Sequence, residues 1–464
     1  MNLRICLVLL TVIFSACANK EQAIPEKPNL IFIYADDWGY GDLGVHGSSF
    51  CKTPNLDKMA QEGIDFQNFS VCNPVCSPSR TAIMTGHFPA RHSVHGHFAD
   101  VASHIKRNMP DWLDPKEVML PRLLKEAGYA TGHFGKWHLS NTHVQDGPSP
   151  VEYGYDEFAC FNITNNFKQE HPDNTLPQAI DFVERHKDEP FFVNVWIHAT
   201  HTPHYPKERF LKQFAHLDEQ QQVYAAVIAE ADEAIGKLFD KLKELGIDEK
   251  TLVVFSSDNG PEITGSESAK WLEDNSTGPG MGHYYSVGET HGLKGRKRSL
   301  TAGGVRVPFL VRWPGVVPAG EVNKMTALAG VDILPTFAEL AGAELPEAYV
   351  PDGESIVKAM KGEAFKRNKT IYWQWLFSAS NKDFWASLAI QEDNWKMLMN
   401  EKTGRRELYN ITEDWAEANN VIEQYPEKAQ ELENKMMQWK ETLPKNPPAD
   451  CVSKERERLL RENK

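Results

Sequence analysis

The chain has 464 residues, 41% of them hydrophobic, 10% aromatic and 25% charged, which is enough apolar material for a large core spread over two or three domains. Its formal net charge of -14 excludes a basic nucleic-acid-binding surface, so no nucleic-acid partner is expected. An anionic ligand could be held only in a local cationic pocket.

In chain order, MNLRICLVLLTVIFSACANK comes first, with an early Arg4, an apolar run from Ile5 to Phe14, and small residues ahead of Cys17. The run is too short to span a bilayer and reads as a signal peptide over 1–16. Ser15-Ala16-Cys17 resembles a bacterial lipoprotein box, which makes Cys17 the lipid site and 17–28 a tether. The expectation is an exported protein, periplasmic or anchored to the outer membrane, that meets membrane only through an N-terminal lipid.

NLIFIYADDWGYGD follows, its apolar run from Leu30 to Tyr34 ending in Asp36 and Asp37. LDKMAQEG then has helical spacing, and VCNPVCSPSRTAIMTG sets Cys72 and Cys76 ahead of a segment with Pro78 in a first-turn position. Ser77 or Ser79 can cap that helix, so Cys76 should lie near a helix N-terminus, where backbone N–H groups attract an oxyanion beside Arg80. LPRLLKEAGY is again helical, and YATGHFGKWHLS presents His133, Lys136 and His138. FFVNVWIHATHTPHYP runs from Phe191 to Ile197 before His198, His201 and His204. VYAAVIAEADEAIGKLFDKLKELG is a long helical pattern closed by Gly246, and TLVVFSSDNG runs from Leu252 to Phe255 into Asp258 and Asn259. Fully apolar runs alternating with helices predict an α/β fold whose central strands are covered on both faces.

In open α/β sheets, ligands sit beyond the carboxyl ends of the strands. Asp36, Asp37, Asp258 and Asn259 all fall there, and such hard oxygen donors suit Ca²⁺ or Mg²⁺. Histidines at the same edge suit general acid or base work, with hydrogen-bonding roles the simpler reading for His198 and His204. Seven cysteines, less Cys6 in the signal and Cys17, leave Cys51, Cys72, Cys76, Cys160 and Cys451. That odd number implies a free or chemically special thiol, and Cys72 and Cys76 lack the second cysteine pair or spaced His pair that a zinc site around them would need.

C-S-P-S-R at Cys76 to Arg80, followed by T-A-I-M-T-G, resembles the signature of the type I sulfatases, the family that includes arylsulfatase A and N-acetylgalactosamine-6-sulfatase. PNLIFIYADDWGYGDLG, TPNLDKMAQEGIDFQNF, GKWHL, ATHTPH, SSDNG, GGVRVPFLVRWPG and VDILPTFAELAG stand in that family's order, so the resemblance covers most of the mature chain. It implies an alkaline-phosphatase-like fold, with a large mixed, mostly parallel sheet flanked by helices. It also implies that a maturase oxidises Cys76 to formylglycine, and that Asp36, Asp37, Asp258 and Asn259 hold Ca²⁺ together with the hydrate at residue 76. One hydrate hydroxyl would attack sulfur, with His201 protonating the leaving oxygen; His138 would take the proton of the second hydroxyl as sulfate is expelled. Arg80, Lys136 and Lys297 would stabilise charge on the sulfate. The match weakens at GRKRSLTAGG, where the family reads G-K-G-[ST]-x-x-E-G-G: Arg298 stands for a glycine and Ala302 for the glutamate, which leaves Lys294 a rival to Lys297.

After Lys361, FWASLAIQEDNWKMLMN and GRRELYNITEDWAEANNVI predict a short antiparallel sheet, with a closing helix over Pro426 to Thr442 and a charged tail after Pro444. The domain reading is 29–361 catalytic and 362–464 a small C-terminal subdomain. The expected substrate is a sulfated carbohydrate, a galactose or N-acetylgalactosamine glycan by family resemblance, with His95, His97 and His171 as sugar contacts. Two alternatives are a phosphonate or phosphate ester hydrolase of the same superfamily, and a lipid-anchored glycan-binding protein with a dead site. Cys72 reads as buried or disulfide-bonded, with Cys51 as the partner to test.

Overall fold

A computed structural model describes residues 27–263, 281–377 and 384–462, so the expected signal peptide, Cys17 and nearly all of the tether lie outside the described residues. The strands are β1 (Asn29–Ala35), β2 (Ile64–Phe66), β3 (Phe69–Ser70), β4 (Ala130–Lys136), β5 (Glu157–Phe161), β6 (Phe191–Trp196), β7 (Thr251–Ser257), β8 (Phe309–Arg312), β9 (Glu321–Asn323), β10 (Leu328–Ala329), β11 (Ile371–Gln374), β12 (Leu388–Glu392), β13 (Trp395–Met399) and β14 (Arg406–Asn410). Eight of them form one sheet in the order β5-β4-β6-β1-β7-β8-β2-β9. All its pairings are parallel except the two made by β8, which runs against β7 and β2. The α/β fold expected from the apolar runs is therefore present, with the mixed, mostly parallel sheet that the family resemblance implies.

Side-chain alternation explains why β1 is apolar throughout. Leu30, Phe32 and Tyr34 face a core that also takes residues of α2 (Cys76–Thr85), α4 (Leu120–Glu126) and α9 (Ile333–Ala341). Ile31, Ile33 and Ala35 face the other layer, built on α1 (Pro54–Gln61), α5 (Thr175–Arg185) and α7 (Glu219–Glu244). Asp218 caps α7 by accepting from Gln221 N at 2.9 Å, and Gly246 follows its end at φ +67°. The remaining helices are α3 (Val101–Lys106), α6 (Glu208–Gln213), α8 (Ala302–Val305), α10 (Val357–Met360), α11 (Pro426–Glu441) and α12 (Lys454–Glu462).

β11 to β14 make a second, antiparallel sheet, with α11 packed on it. Trp373, Leu388, Met397 and Leu408 share one apolar core with Leu30 and Phe32, so the two sheets bury a common interior. The charged stretch after Pro444 packs on the body: Cys451 is buried, and α12 docks by Arg456 Nη2 on Asp111 Oδ1 at 2.8 Å and on Met109 O at 2.6 Å. Of the two readings of Cys72, the buried one holds, and Cys51 and Cys72 are both free. They lie in the cores on opposite sides of the large sheet, which keeps them apart.

Burial also sets a pH response. His133, His198 and His204 have pKa values lowered to about 3, 4 and 3, with burial the largest cause in each. Unfolded, each titrates near 6.5, so below that pH the unfolded chain takes up protons that the native chain refuses, and stability falls. Asp42, pushed up to about 7 by burial, acts in the opposite sense and offsets about one of them. Buried histidines shifted down outnumber buried carboxyls shifted up, so stability is expected to fall as the pH drops from about 6.5 to about 4. Thermal unfolding midpoints measured across that range should fall with pH; a flat profile would contradict it.

Candidate active site

Strand order does most of the assembly. β4, β6, β1 and β7 are adjacent, paired in parallel, and their carboxyl ends are nearly level: Gly135 pairs with Trp196, Tyr34 with Trp196, and Ala35 with Ser257. The residues that follow, Lys136 to His138, His198 to His201, Asp36 and Asp37, and Asp258 and Asn259, therefore meet at one edge. Asp37 and His138 take φ +64° and +52°, turning their side chains out of strand geometry at a cost of about 1–3 kcal/mol each.

Cys76 is the first residue of α2 and is buried. The expected serine cap is absent. Val75 occupies the N-cap position with no side-chain bond, while Ser79 Oγ donates to Asn73 O at 2.8 Å and Ser77 Oγ accepts from Phe98 N at 3.0 Å. The serines thus brace the loops on either side of residue 76. One turn on, Arg80 is wholly buried, with NH2 2.7 Å from Asp258 Oδ2 and 4.0 Å from Asp36 Oδ1. Its guanidinium lies over the rings of Trp196 (4.8 Å) and Tyr34 (5.5 Å), which hold the plane in place.

Lys136 Nζ is 2.5 Å from Asp36 Oδ2, and Lys297 Nζ donates to Asp37 Oδ2 at 2.7 Å. Burial is the largest single influence and pushes both carboxyls up, but the neighbouring positive groups together, Lys136 foremost at Asp36 and Lys297 foremost at Asp37, keep them below their ordinary values. Asp258 is pushed up by burial and by Asp36, against the pull of Arg80. Burial likewise opposes the charge on Lys297, but Asp37 and Glu262 keep it protonated.

Carboxylate oxygens of Asp36, Asp37 and Asp258 lie within 4.8 Å of one another, all buried. Asp36 Oδ1 and Asn259 Oδ1 are buried without a partner, and Asn259 Nδ2 donates to Asp37 Oδ1 at 2.7 Å, which turns its oxygen the other way. Buried oxygens left unpaired in this way are costly unless a cation takes them. An all-oxygen donor set fits a hard divalent ion such as Ca²⁺ or Mg²⁺.

The two histidines are differently set. His138 Nε2 is 3.0 Å from Phe98 O, so it carries the proton, and Nδ1 is left buried with a free lone pair. His201 Nδ1 is 2.5 Å from Thr202 O, so its Nε2 is the free nitrogen. Burial first, and Lys136 among the neighbours, hold both rings neutral, well below the usual imidazole pKa.

The rivalry between lysines is settled by contact. Lys294 Nζ bonds Glu407 Oε2 (2.9 Å) and Tyr409 OH (2.7 Å) in the second sheet, while Lys297 enters the acidic cluster. Arg298 takes φ +72°, a conformation free to glycine and strained for arginine, and pairs with Glu262 at 2.5 Å. At Ala302 the backbone N–H is held at 2.9 Å by Glu417 Oε2, whose Oε1 accepts from Lys396 at 2.6 Å. Glu417 had no signal in the sequence, because a carboxylate over a hundred positions away reaches the loop only through the second sheet. Lys297→Ala is expected to lower kcat/KM about 10²–10³-fold and Lys294→Ala less than about tenfold; equal losses in a kinetic comparison would contradict the placement.

The sugar-contact candidates scatter. His97 is exposed with its ring 6.3 Å from that of His138, and His95 is buried with its pKa lowered to about 4 by burial. His171 packs at 4.9 Å on Tyr205, which stands 6.1 Å from His198, itself 5.7 Å from His201.

A mixed sheet presenting buried acids, fixed cations and neutral imidazoles at the ends of four neighbouring strands defines an ester hydrolase of the alkaline-phosphatase-like fold. The chain belongs to the sulfatase family: the family model described as Sulfatase matches residues 28–343, and one described as N-sulphoglucosamine sulphohydrolase, C-terminal, matches 289–443. It is a sulfuric ester hydrolase. N-acetylgalactosamine-6-sulfatase of Canis lupus familiaris is 31% identical over 405 residues, covering 79% of this chain and 72% of the relative. N-acetylgalactosamine-6-O-sulfatase of Bacteroides thetaiotaomicron is 27% identical over 503 residues, covering 88% and 92%. Among solved structures, Ps i-CgsB in complex with k-i-k-neocarrahexaose has 28% identity and a TM-score of 0.73, covering 89% of this chain and 92% of that one.

Proposed function

We propose that the protein hydrolyses sulfate esters of a galactose- or N-acetylgalactosamine-containing glycan, using Ca²⁺ and a formylglycine made from Cys76 by a maturase. The observation that carries this reading is the buried cluster of Asp36, Asp37 and Asp258, reached by Arg80, in which Asp36 Oδ1 has no hydrogen-bond partner. Asp36, Asp37, Asp258 and Asn259 would hold the ion, which supplies charge neutralisation and acidifies a hydroxyl bound to it. Formylglycine would supply that hydroxyl at the start of α2, where the Cys76 thiol stands.

The chain's own groups divide the remaining work. Arg80, Lys136 and Lys297 are fixed in advance beside the acids and face the charge that grows on the sulfate oxygens. His138, neutral and with Nδ1 free, accepts a proton. His201 presents Nε2 for the leaving oxygen, but it is neutral in the free protein and takes up its proton as the anionic ester arrives. The glycan assignment rests on the names of the relatives, which act on N-acetylgalactosamine sulfates, and on a structural neighbour solved with a carrahexaose. An exported, lipid-anchored location follows from the sequence between Arg4 and Cys17 and matches a glycan met outside the cytoplasm.

Protein coexpressed with a maturase should release sulfate from members of a panel of sulfated galactose, N-acetylgalactosamine and glucosamine saccharides. Turnover of the galactose-configured members supports the reading. Turnover of glucosamine sulfates alone, or of phenyl phosphonate esters with kcat/KM at or above the best sulfate ester, overturns it.

A further inference from the structure

We infer that His87, His92 and Glu117 form a second cation site, separate from the acidic cluster, for a divalent d-block ion of the zinc type. His87 follows Gly86 at the end of α2, His92 closes the short turn Pro89–His92, and Glu117 lies just ahead of α4. One ligand atom of each lies within 4.8 Å of the other two.

The hydrogen bonding leaves these groups ready for a metal. His87 Nε2 is 3.0 Å from Val350 O. A carbonyl only accepts, so Nε2 carries the proton and Nδ1 keeps its lone pair. Metal-binding imidazoles are commonly oriented in this way, with the far nitrogen tied to a backbone carbonyl. Tyr349 packs on the same ring at 4.8 Å and limits its rotation.

His92 is the stronger clue. Its side chain is 4% exposed, Nδ1 stands 3.6 Å from Glu117 Oε1, and Nε2 is buried without a partner. That 3.6 Å is too long for a hydrogen bond and close to the roughly 3.3 Å between two ligands held about 2.0 Å from a tetrahedral ion. With the proton on Nε2, a lone pair faces a carboxylate; with the proton on Nδ1, a buried lone pair goes unmet. A cation between Nδ1 and Oε1 removes the first conflict and leaves the buried Nε2–H as the one unmet group of the ring.

Arg91 does not fill the gap. It is turned into a two-point pair with Asp352, Nε to Oδ2 at 2.7 Å and NH2 to Oδ1 at 2.8 Å. Two imidazoles and one carboxylate favour zinc over calcium, and the 37% exposure of the Glu117 side chain leaves room for water as a fourth ligand. An ion here would fasten the end of α2, whose first residue is Cys76, to the segment leading into α4.

Untagged protein saturated with Ca²⁺ tests the site by equilibrium dialysis against micromolar Zn²⁺ followed by metal quantification. The wild type should retain one more zinc per chain than His87→Ala or His92→Ala. Glu117→Gln should weaken binding about 10–100-fold. Asp37→Asn should keep this zinc, which separates it from the acidic cluster. Co²⁺ in place of zinc should give visible absorption bands that vanish in the same histidine variants. His87 is half-buried, so its truncation leaves the fold intact even if His92→Ala does not. Equal zinc content in wild type and His87→Ala, or no bound zinc at about 100 μM, a concentration that detects even weak sites, overturns the inference.

Discussion

Cys76→Ala is expected to abolish turnover of sulfate esters, by at least about 10⁴-fold, with the protein still folded. The thiol is small and buried at the first turn of α2, and the groups proposed to position the reaction, Arg80, Lys136 and Lys297, make their contacts without it. Truncation therefore removes the proposed precursor of the nucleophile and little else. Cys76→Ser sharpens the test. A serine offers one hydroxyl where the mature residue would offer two, so leaving-group release should stop at no more than one equivalent per chain. Sustained turnover in Cys76→Ser, or an intact thiol at residue 76 in the mass spectrum of fully active protein, would remove formylglycine from the mechanism.

The second large effect is on the acidic cluster. Exhaustive chelation should reduce activity by about 10³-fold or more, since a bound ion contributes several kcal/mol at a developing charge, and Ca²⁺ should restore it. Asp37→Asn or Asp258→Asn should show a comparable loss that Ca²⁺ does not repair. Three carboxylates with oxygens within 4.8 Å in a buried site repel one another, so Ca²⁺ should also raise the thermal midpoint of the wild type. Full activity after chelation, with no metal detected in the sample, would refute the ion's part.

Much of this was readable in one dimension because of how parallel strands bury themselves. A strand covered on both faces has no polar position to spare, so Leu30 to Tyr34 and Leu252 to Phe255 stand out, and the first polar residues after them mark the sheet edge. Gly246 and the closing helix after Pro426 were legible for local reasons, a left-handed turn residue and a proline at the first helical position. Local signals also misled. Ser77 and Ser79 look like caps, yet their hydroxyls serve Phe98 and Asn73, because packing around residue 76 offers better partners than the helix end. Nor do the charges after Pro444 show where they pack: Arg456 finds a buried Asp111.

By itself, the sequence determined the fold class, the family and the kinds of residue that do chemistry, because these follow from periodicity and from short motifs whose members are neighbours along the chain. Tertiary structure alone decided which members meet. It chose Lys297 over Lys294, three residues apart, because Arg298 reverses the loop at φ +72° while the second sheet captures Lys294. It put Cys51 and Cys72 on opposite sides of the large sheet, and it aimed the free nitrogen of His138 by way of the Phe98 carbonyl. Each of these outcomes turns on a contact between segments far apart in the chain, and such contacts exist only once the strand order has brought their ends together.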